Sequence, residues 1–230
     1  MSGCDAYRVE TARRFRGRWQ SNGDLAAAAP LLAAAILVEG GSMVVRGVRL
    51  PAEGSGLIPA LERMGAKLAV YHPREEDEVP VADLLAQHGT LRGIELHEDE
   101  TCRLTGEIPL LALLAAQARG PSVLRGLAPL RELPGDRLAG TLRLVESFGG
   151  EAGVVGEDLH LEGGMRARGC SFDAGGDARL ALAAAAMALA AIGPSMIGGV
   201  EGVHEVFPEF VSLARRCSSR ALSLEKGATG

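Results

Sequence analysis

The chain has 230 residues, 47% of them apolar, 23% charged and only 3% aromatic, with a formal charge of −5. That is enough apolar material for one large or two small domains without help from disulfides or metal, and the acidic balance excludes general nucleic-acid binding, which needs a basic stripe. With few aromatics and 31 glycines, well above the usual share of about 7%, the core must come from Ala, Leu and Val and the elements must be short.

In chain order, the N-terminal stretch through Trp19 lacks the apolar run of a signal peptide. Arg13, Arg14, Arg16 and Arg18 form one basic cluster, read as a solvated strand or linker face. LAAAAPLLAAAILV, Leu25 to Val38, predicts a helix followed by Gly40-Gly41-Ser42 and the strand MVVRGV. GLIPALERMGAKL from Gly56 predicts a second, amphipathic helix with Glu62, Arg63 and Lys67 on its polar face. LAVYHP is a strand, and HPREEDEVP, His72 to Pro80, is expected to be an exposed acidic loop.

After the strand RGIELHE the cycle restarts with PLLALLAAQAR, Pro109 to Arg119, then Gly120-Pro121-Ser122, VLRGL and the helix DRLAGTLRLVESFGG from Asp136. AGVVGEDLHLEGG predicts a hairpin turning at Gly156-Glu157-Asp158, and ARGCSFDAG another strand. The third cycle is ARLALAAAAMALAAI, Ala178 to Ile192, then Gly193-Pro194-Ser195, MIGGV and FPEFVSLARR from Phe207. Asp24 to Ser42 and Asp177 to Ser195 each span 18 positions, as internal repetition requires. Helices apolar all round must be enclosed on every side, so three Ala-rich helices are expected inside an outer layer of sheets. Leu180 to Val200 carries no charge, but its Ala and Gly content and the break at Gly193-Pro194 read as helix, turn and strand rather than a membrane span.

Cys4, Cys102, Cys170 and Cys217 form no CxxC pair and read as reduced thiols of a cytoplasmic protein. His72, His88, His97, His160 and His204 show no metal-ligand spacing, and no dinucleotide fingerprint, Walker loop or nucleophile elbow is present. No metal or cofactor is expected.

Five stretches carry a family resemblance: Gly23-Asp24-Leu25-Ala26-Ala27-Ala28, LERMGA from Leu61 to Ala66, LRELPGDR from Leu130 to Arg137, Asp177-Ala178-Arg179, and Phe207-Pro208-Glu209-Phe210. In order and spacing they resemble GDxSSA, LxxMGA, LRxKExDR, DHR and SFPxF of the enolpyruvyl transferases, and of 5-enolpyruvylshikimate-3-phosphate (EPSP) synthases in particular. The resemblance implies an α/β fold of the α+β kind, one lobe of that family. Three βαβα-like units, about 21–106, 107–176 and 177–216, would surround a pseudo-threefold axis as an inside-out barrel. Residues 1–20 are then an N-terminal strand and linker, and 217–230 a flexible tail. Only the family's C-terminal lobe is covered; the lobe with the glycine-serine-lysine phosphate loop has no counterpart.

The family reaction joins phosphoenolpyruvate to shikimate 3-phosphate with loss of phosphate, and needs proton donors and acceptors besides cations. By resemblance, the family's Asp falls at Leu110, its Lys and Glu at Leu133 and Pro134, its His at Ala178 and its final Lys at Glu205, and the serines of GDxSSA are alanines. No catalytic residue is therefore assigned, and His204 is read as a surface group. What the resemblance leaves is Arg137 and Arg179, which would grip a phosphoenolpyruvate-like anion. A structural alternative stays open: Asp136 and Asp177 as helix caps and the arginines paired with carboxylates. The expectation is an EPSP synthase-like chain inactive by itself. The alternatives are an interaction module, pairing with a second copy or a separate N-terminal lobe, and a small-anion binding protein.

Overall fold

The computed structural model describes residues 5–21, 23–50, 56–219 and 221–225. After strand β1 (Ala6–Val9), a first unit runs through β2 (Arg16–Gln20), helix α1 (Leu25–Leu37), β3 (Ser42–Arg49), α2 (Leu57–Arg63) and the hairpin β4 (Lys67–Glu76) and β5 (Val79–Gln87). The second comprises β6 (Glu95–Leu96), the short α3 (Glu98–Thr101), α4 (Ile108–Gln117), β7 (Ser122–Leu124), the short α5 (Ala128–Arg131), α6 (Arg137–Ser147) and the hairpin β8 (Ala152–Val155) and β9 (Asp158–Leu161). The third has β10 (Ser171–Asp173), α7 (Ala178–Ala188), β11 (Ser195–Gly198), the short α8 (Val203–Val206), α9 (Phe210–Cys217) and β12 (Leu222–Glu225).

Three four-stranded sheets result, ordered β2-β3-β5-β4, β6-β7-β9-β8 and β10-β11-β1-β12. Each has the same pairing: the strands flanking the apolar helix run parallel, and two antiparallel partners complete the sheet. In the third sheet the hairpin position is filled from both chain ends, by β1 and β12.

The apolar helices pack on one another, α1 on α7, α4 on α7 and α1 on α4. In α1 every residue from Ala27 to Leu37 is buried, as is α4 from Ile108 to Ala116. Alanine at nine of these twenty positions lets the helix axes approach closely. The second helices keep a wet face; in α9 only Phe210, Leu213, Ala214 and Cys217 are buried.

Two expectations need correction. The acidic stretch His72 to Pro80 is not a loop but the exposed end of the β4–β5 hairpin, where Glu76 faces Val79 across a two-residue turn. Asp77 and Glu78 both adopt positive φ, 50° and 62°, the backbone of a twist-matched type I′ turn without its usual glycine. Arg74, bonded to Glu76 at 2.6 Å and Asp83 at 3.3 Å, offsets the acidic charge. Of the tail expected from residue 217, residues Leu222–Glu225 form strand β12, which pairs with β1 from Val9↔Leu222 to Ala6↔Glu225.

Among the described residues no helix is long and apolar enough to cross a membrane. Cys102, Cys170 and Cys217 are free thiols, and Cys4 lies outside the described residues. Burial pushes the Cys170 thiol up to about 11.

Candidate functional site

The N-termini of the three apolar helices meet at one end of the molecule. Asp24 and Asp177 occupy equivalent places there. Each has extended backbone at the N-cap, and each side chain accepts from the N–H two residues on, Asp24 from Ala26 at 2.8 Å and Asp177 from Arg179 at 2.8 Å. Such caps satisfy donors that the helix leaves open.

The third helix starts differently. Pro109, in the first turn of α4, brings no N–H that needs capping, and the Glu107 side chain makes no cap bond. Its carboxyl is instead held above the ordinary range, chiefly by burial, while Arg179 and Arg137 pull it down and Asp24 pushes it up. Glu107 thus senses charges at the starts of α1, α6 and α7.

Arg137 opens α6, whose own cap is Asp136 in a left-handed conformation (φ 49°), accepting from Ala139 N–H at 3.0 Å. Its Nε donates to Asp177 Oδ2 at 2.7 Å, and the two side chains are only 19% and 10% exposed. Gly140 makes this approach possible, because a Cβ there would stand 2.6 Å from Leu180 Cδ1 on α7.

Arg179 reaches the other way, donating from Nη1 to the Ala26 carbonyl at 3.2 Å. Pro30, inside α1, explains why that carbonyl is open: it has no N–H for the oxygen four residues back. Each guanidinium offers five N–H donors, so both arginines keep donors after these bonds. Beside them an open cleft of about 510 Å³ is lined by Asp24, Ala26, Arg49, Arg103 and Glu107, among others.

The structure therefore brings Arg137 and Arg179 to one end of the fold; Asp136 and Asp177 are caps and Arg137 is paired with a carboxylate, whereas Arg179 donates to a backbone carbonyl. Of the substituted positions, Leu110, Leu133, Pro134 and Ala178 carry no ionisable group. Leu110 is buried in α4, Ala178 is buried at the start of α7, Leu133 and Pro134 lie between α5 and α6, and Glu205 and His204 are exposed on α8. Glu107, Arg49 and Arg103 were missed by the sequence reading. The signal for Glu107 was its place just before a proline-opened helix. Among the described residues no group of three His, Cys, Asp or Glu side chains could hold a metal ion.

The fold is that of solved enolpyruvyl transferase structures. An EPSP synthase structure from Acinetobacter baumannii superposes with a TM-score of 0.82 at 29% identity, over 88% of this chain and 47% of that one. The enolpyruvyl transferase NikO from Streptomyces tendae shares the fold at 19% identity with a TM-score of 0.65. The family model for EPSP synthase (3-phosphoshikimate 1-carboxyvinyltransferase) matches residues 5–213, and the chain belongs to that family. Relatives named 3-phosphoshikimate 1-carboxyvinyltransferase include one from Brevibacillus brevis, 34% identical over 91% of this chain and 50% of its own length. Another, from Acidiphilium cryptum, is 37% identical over 84% of this chain and 43% of its own length. The chain spans about half the length of the curated relatives it matches.

Proposed function

We propose that this lobe binds a small carboxylate- or phosphate-bearing anion at the helix N-termini and does not by itself transfer an enolpyruvyl group. The observation that carries the reading is the pairing of two facts about one place. Arg137 and Arg179 stand where three helix N-termini add their partial positive charge. The positions that the family resemblance assigns to proton transfer hold Leu110, Leu133, Pro134 and Ala178, whose side chains can neither take nor give one. Glu205 puts a negative charge where the resemblance calls for a lysine, so it repels rather than grips a phosphate. Retained cations without proton donors and acceptors make a binding site, not a reaction centre.

Glu107 and Asp177 temper that site, because an incoming anion must share the arginines with carboxylates already present. Weak binding follows, as suits a half-site. A second reading is that the face that carries the cleft is a pairing surface for a second copy or for another lobe. Mass in solution, with and without ligand, tests it.

The deciding experiment is calorimetric titration with phosphoenolpyruvate and with shikimate 3-phosphate beside a phosphate-release assay on the same sample. Binding without release, abolished in Arg137→Ala and Arg179→Ala, is expected. Steady phosphate release by the purified chain overturns the reading, and absence of any binding transfers the weight to the pairing alternative.

A further inference from the structure

The opposite end of α1 carries a second cationic region, on the outer face of the first sheet. Strand register sets one row across that face: Arg16 opposite Ser42, Ser42 opposite Gln87, and Gln87 opposite Lys67. Arg18 follows one step along β2 on the same face. These side chains, with Gly40, Gly41 and His88, line an open cleft of about 750 Å³ that no carboxylate lines. In a chain of net charge −5, this is a local surplus of three full positive charges.

Two of the three cationic side chains, Arg16 and Lys67, rest on the backbone around them. Arg16 Nε donates to the Gly40 carbonyl at 3.0 Å, which leaves the other guanidinium donors turned outward. The methylenes of Lys67 lie over Gly89, where a Cβ would stand 3.3 Å from Lys67 Cγ. His88 Nδ1 lies 2.9 Å from the Ile36 carbonyl, a contact that needs the proton on Nδ1 and fixes the ring at the edge of the cleft. Gly40 has φ of 67°, and a Cβ on Gly41 would fall 2.2 Å from the Ala35 carbonyl oxygen, so the floor stays free of side chains. Among the described residues, Arg16, Arg18 and Lys67 have no carboxylate within ion-pair distance.

We propose that this face is a binding site for a compact polyanion with two linked phosphoryl groups. Arg16 and Lys67 stand on the outer strands of a four-strand row, so their backbones are roughly 14 Å apart at the usual spacing. Their long side chains close much of that span from both sides. A ligand with two linked phosphoryl groups bridges the remainder, with Ser42 and Gln87 as neutral donors between, whereas a single phosphate engages one cation at a time. Arginine and lysine together suit this task, one as a planar fork and the other as a point charge. The site is separate from the cleft at the helix N-termini and stands whether or not that cleft binds anything.

The test is titration of the full chain with pyrophosphate at low salt, read by calorimetry and by the NMR signal of the lysine ε-methylenes. The chain has two lysines, Lys67 and Lys226, so the spectrum reports the site directly. The expected result is a saturating shift at Lys67. Affinity read at Lys67 should fall about tenfold or more in Arg16→Ala and further in Arg16→Glu, with orthophosphate binding at least tenfold more weakly. No shift at Lys67, equal affinity in Arg16→Ala, or orthophosphate binding as tightly as pyrophosphate each overturns the proposal. Both side chains are exposed, so circular dichroism of the variants should show unaltered folding.

Discussion

The two cationic ends of this molecule differ in what answers their charge. At the helix N-termini Arg137 and Arg179 are surrounded by Asp24, Glu107 and Asp177 and are tied down by bonds to Asp177 and to Ala26. On the sheet face Arg16, Arg18 and Lys67 meet only neutral groups and His88. Charge that is paired inside the fold holds the fold together, and charge left unpaired on its surface is available to something else. The same residue type therefore does structural work in one place and recognition in the other, which makes the contrast testable by substitution.

The largest effect belongs to Asp177. Its carboxylate caps α7, through Arg179 N–H at 2.8 Å and Leu180 N–H at 3.3 Å, and pairs with a guanidinium that is only 19% exposed. Asp177→Ala removes the cap and leaves Arg137 without its counter-charge, so urea unfolding should show a loss of about 3–5 kcal/mol. Asp177→Asn keeps an oxygen for the cap and loses the charge, and should fall between that variant and the parent. Equal losses in both would mean that the ion pair, not the cap, carries the stability of this end.

Next in size is Gly140→Ala. The added methyl runs into Leu180 Cδ1 and pushes α6 from α7, the two helices that begin with Arg137 and with Ala178-Arg179. Overpacking of this kind costs about 1–3 kcal/mol. It should also weaken anion binding at the helix N-termini, because the arginines move apart, while leaving pyrophosphate titration of Lys67 unchanged. A parallel loss at both ends would show that the two regions are coupled through the core.

How far this was legible in the sequence depends on the range of the forces involved. The apolar helices could be read from Leu25 to Val38, Pro109 to Arg119 and Ala178 to Ile192, because a helix without a polar face has one physical solution, burial. The turn between β4 and β5 could not, because Asp77 and Glu78 take positive φ without the glycine that announces such turns, and the acidic run looks like solvated loop. Strand β12 was hidden for another reason: LSLE is short, and its partner β1 lies at the other end of the chain. At the candidate site, Arg137 and Arg179 were named from the family resemblance. Glu107 did not, since its role comes from burial beside residues far away in sequence, and the Ala26 carbonyl became an acceptor only through the missing N–H of Pro30.

Glu107→Gln probes the built-in competitor directly and should act in the opposite sense from the first two. Burial holds the Glu107 carboxyl above its ordinary value of 4.5. A raised carboxyl contributes stability that is complete below the ordinary value and is lost as pH rises through the folded one. Glutamine stays uncharged throughout, so the variant should match the parent in acid and be the more stable of the two at pH 7. Removing one negative charge near Arg179 should also tighten anion binding in the cleft by about 1 kcal/mol, with no change at the sheet face. If binding weakens instead, Glu107 positions Arg179 rather than competing for it.

The smallest effect is expected from Arg16→Ala and Lys67→Ala, and its smallness carries the argument. Arg16 gives one exposed bond to the Gly40 carbonyl, and Lys67 rests its stem on Gly89. Neither pairs with a carboxylate among the described residues, so each substitution should change stability by no more than about 0.5 kcal/mol. Removing like charges from one face should raise the melting temperature slightly at low salt, and salt should erase the gain by screening. A loss exceeding about 1 kcal/mol in either variant would place these cations among the groups that hold the sheet together, and the distinction between the paired and the unpaired end of the molecule would no longer stand.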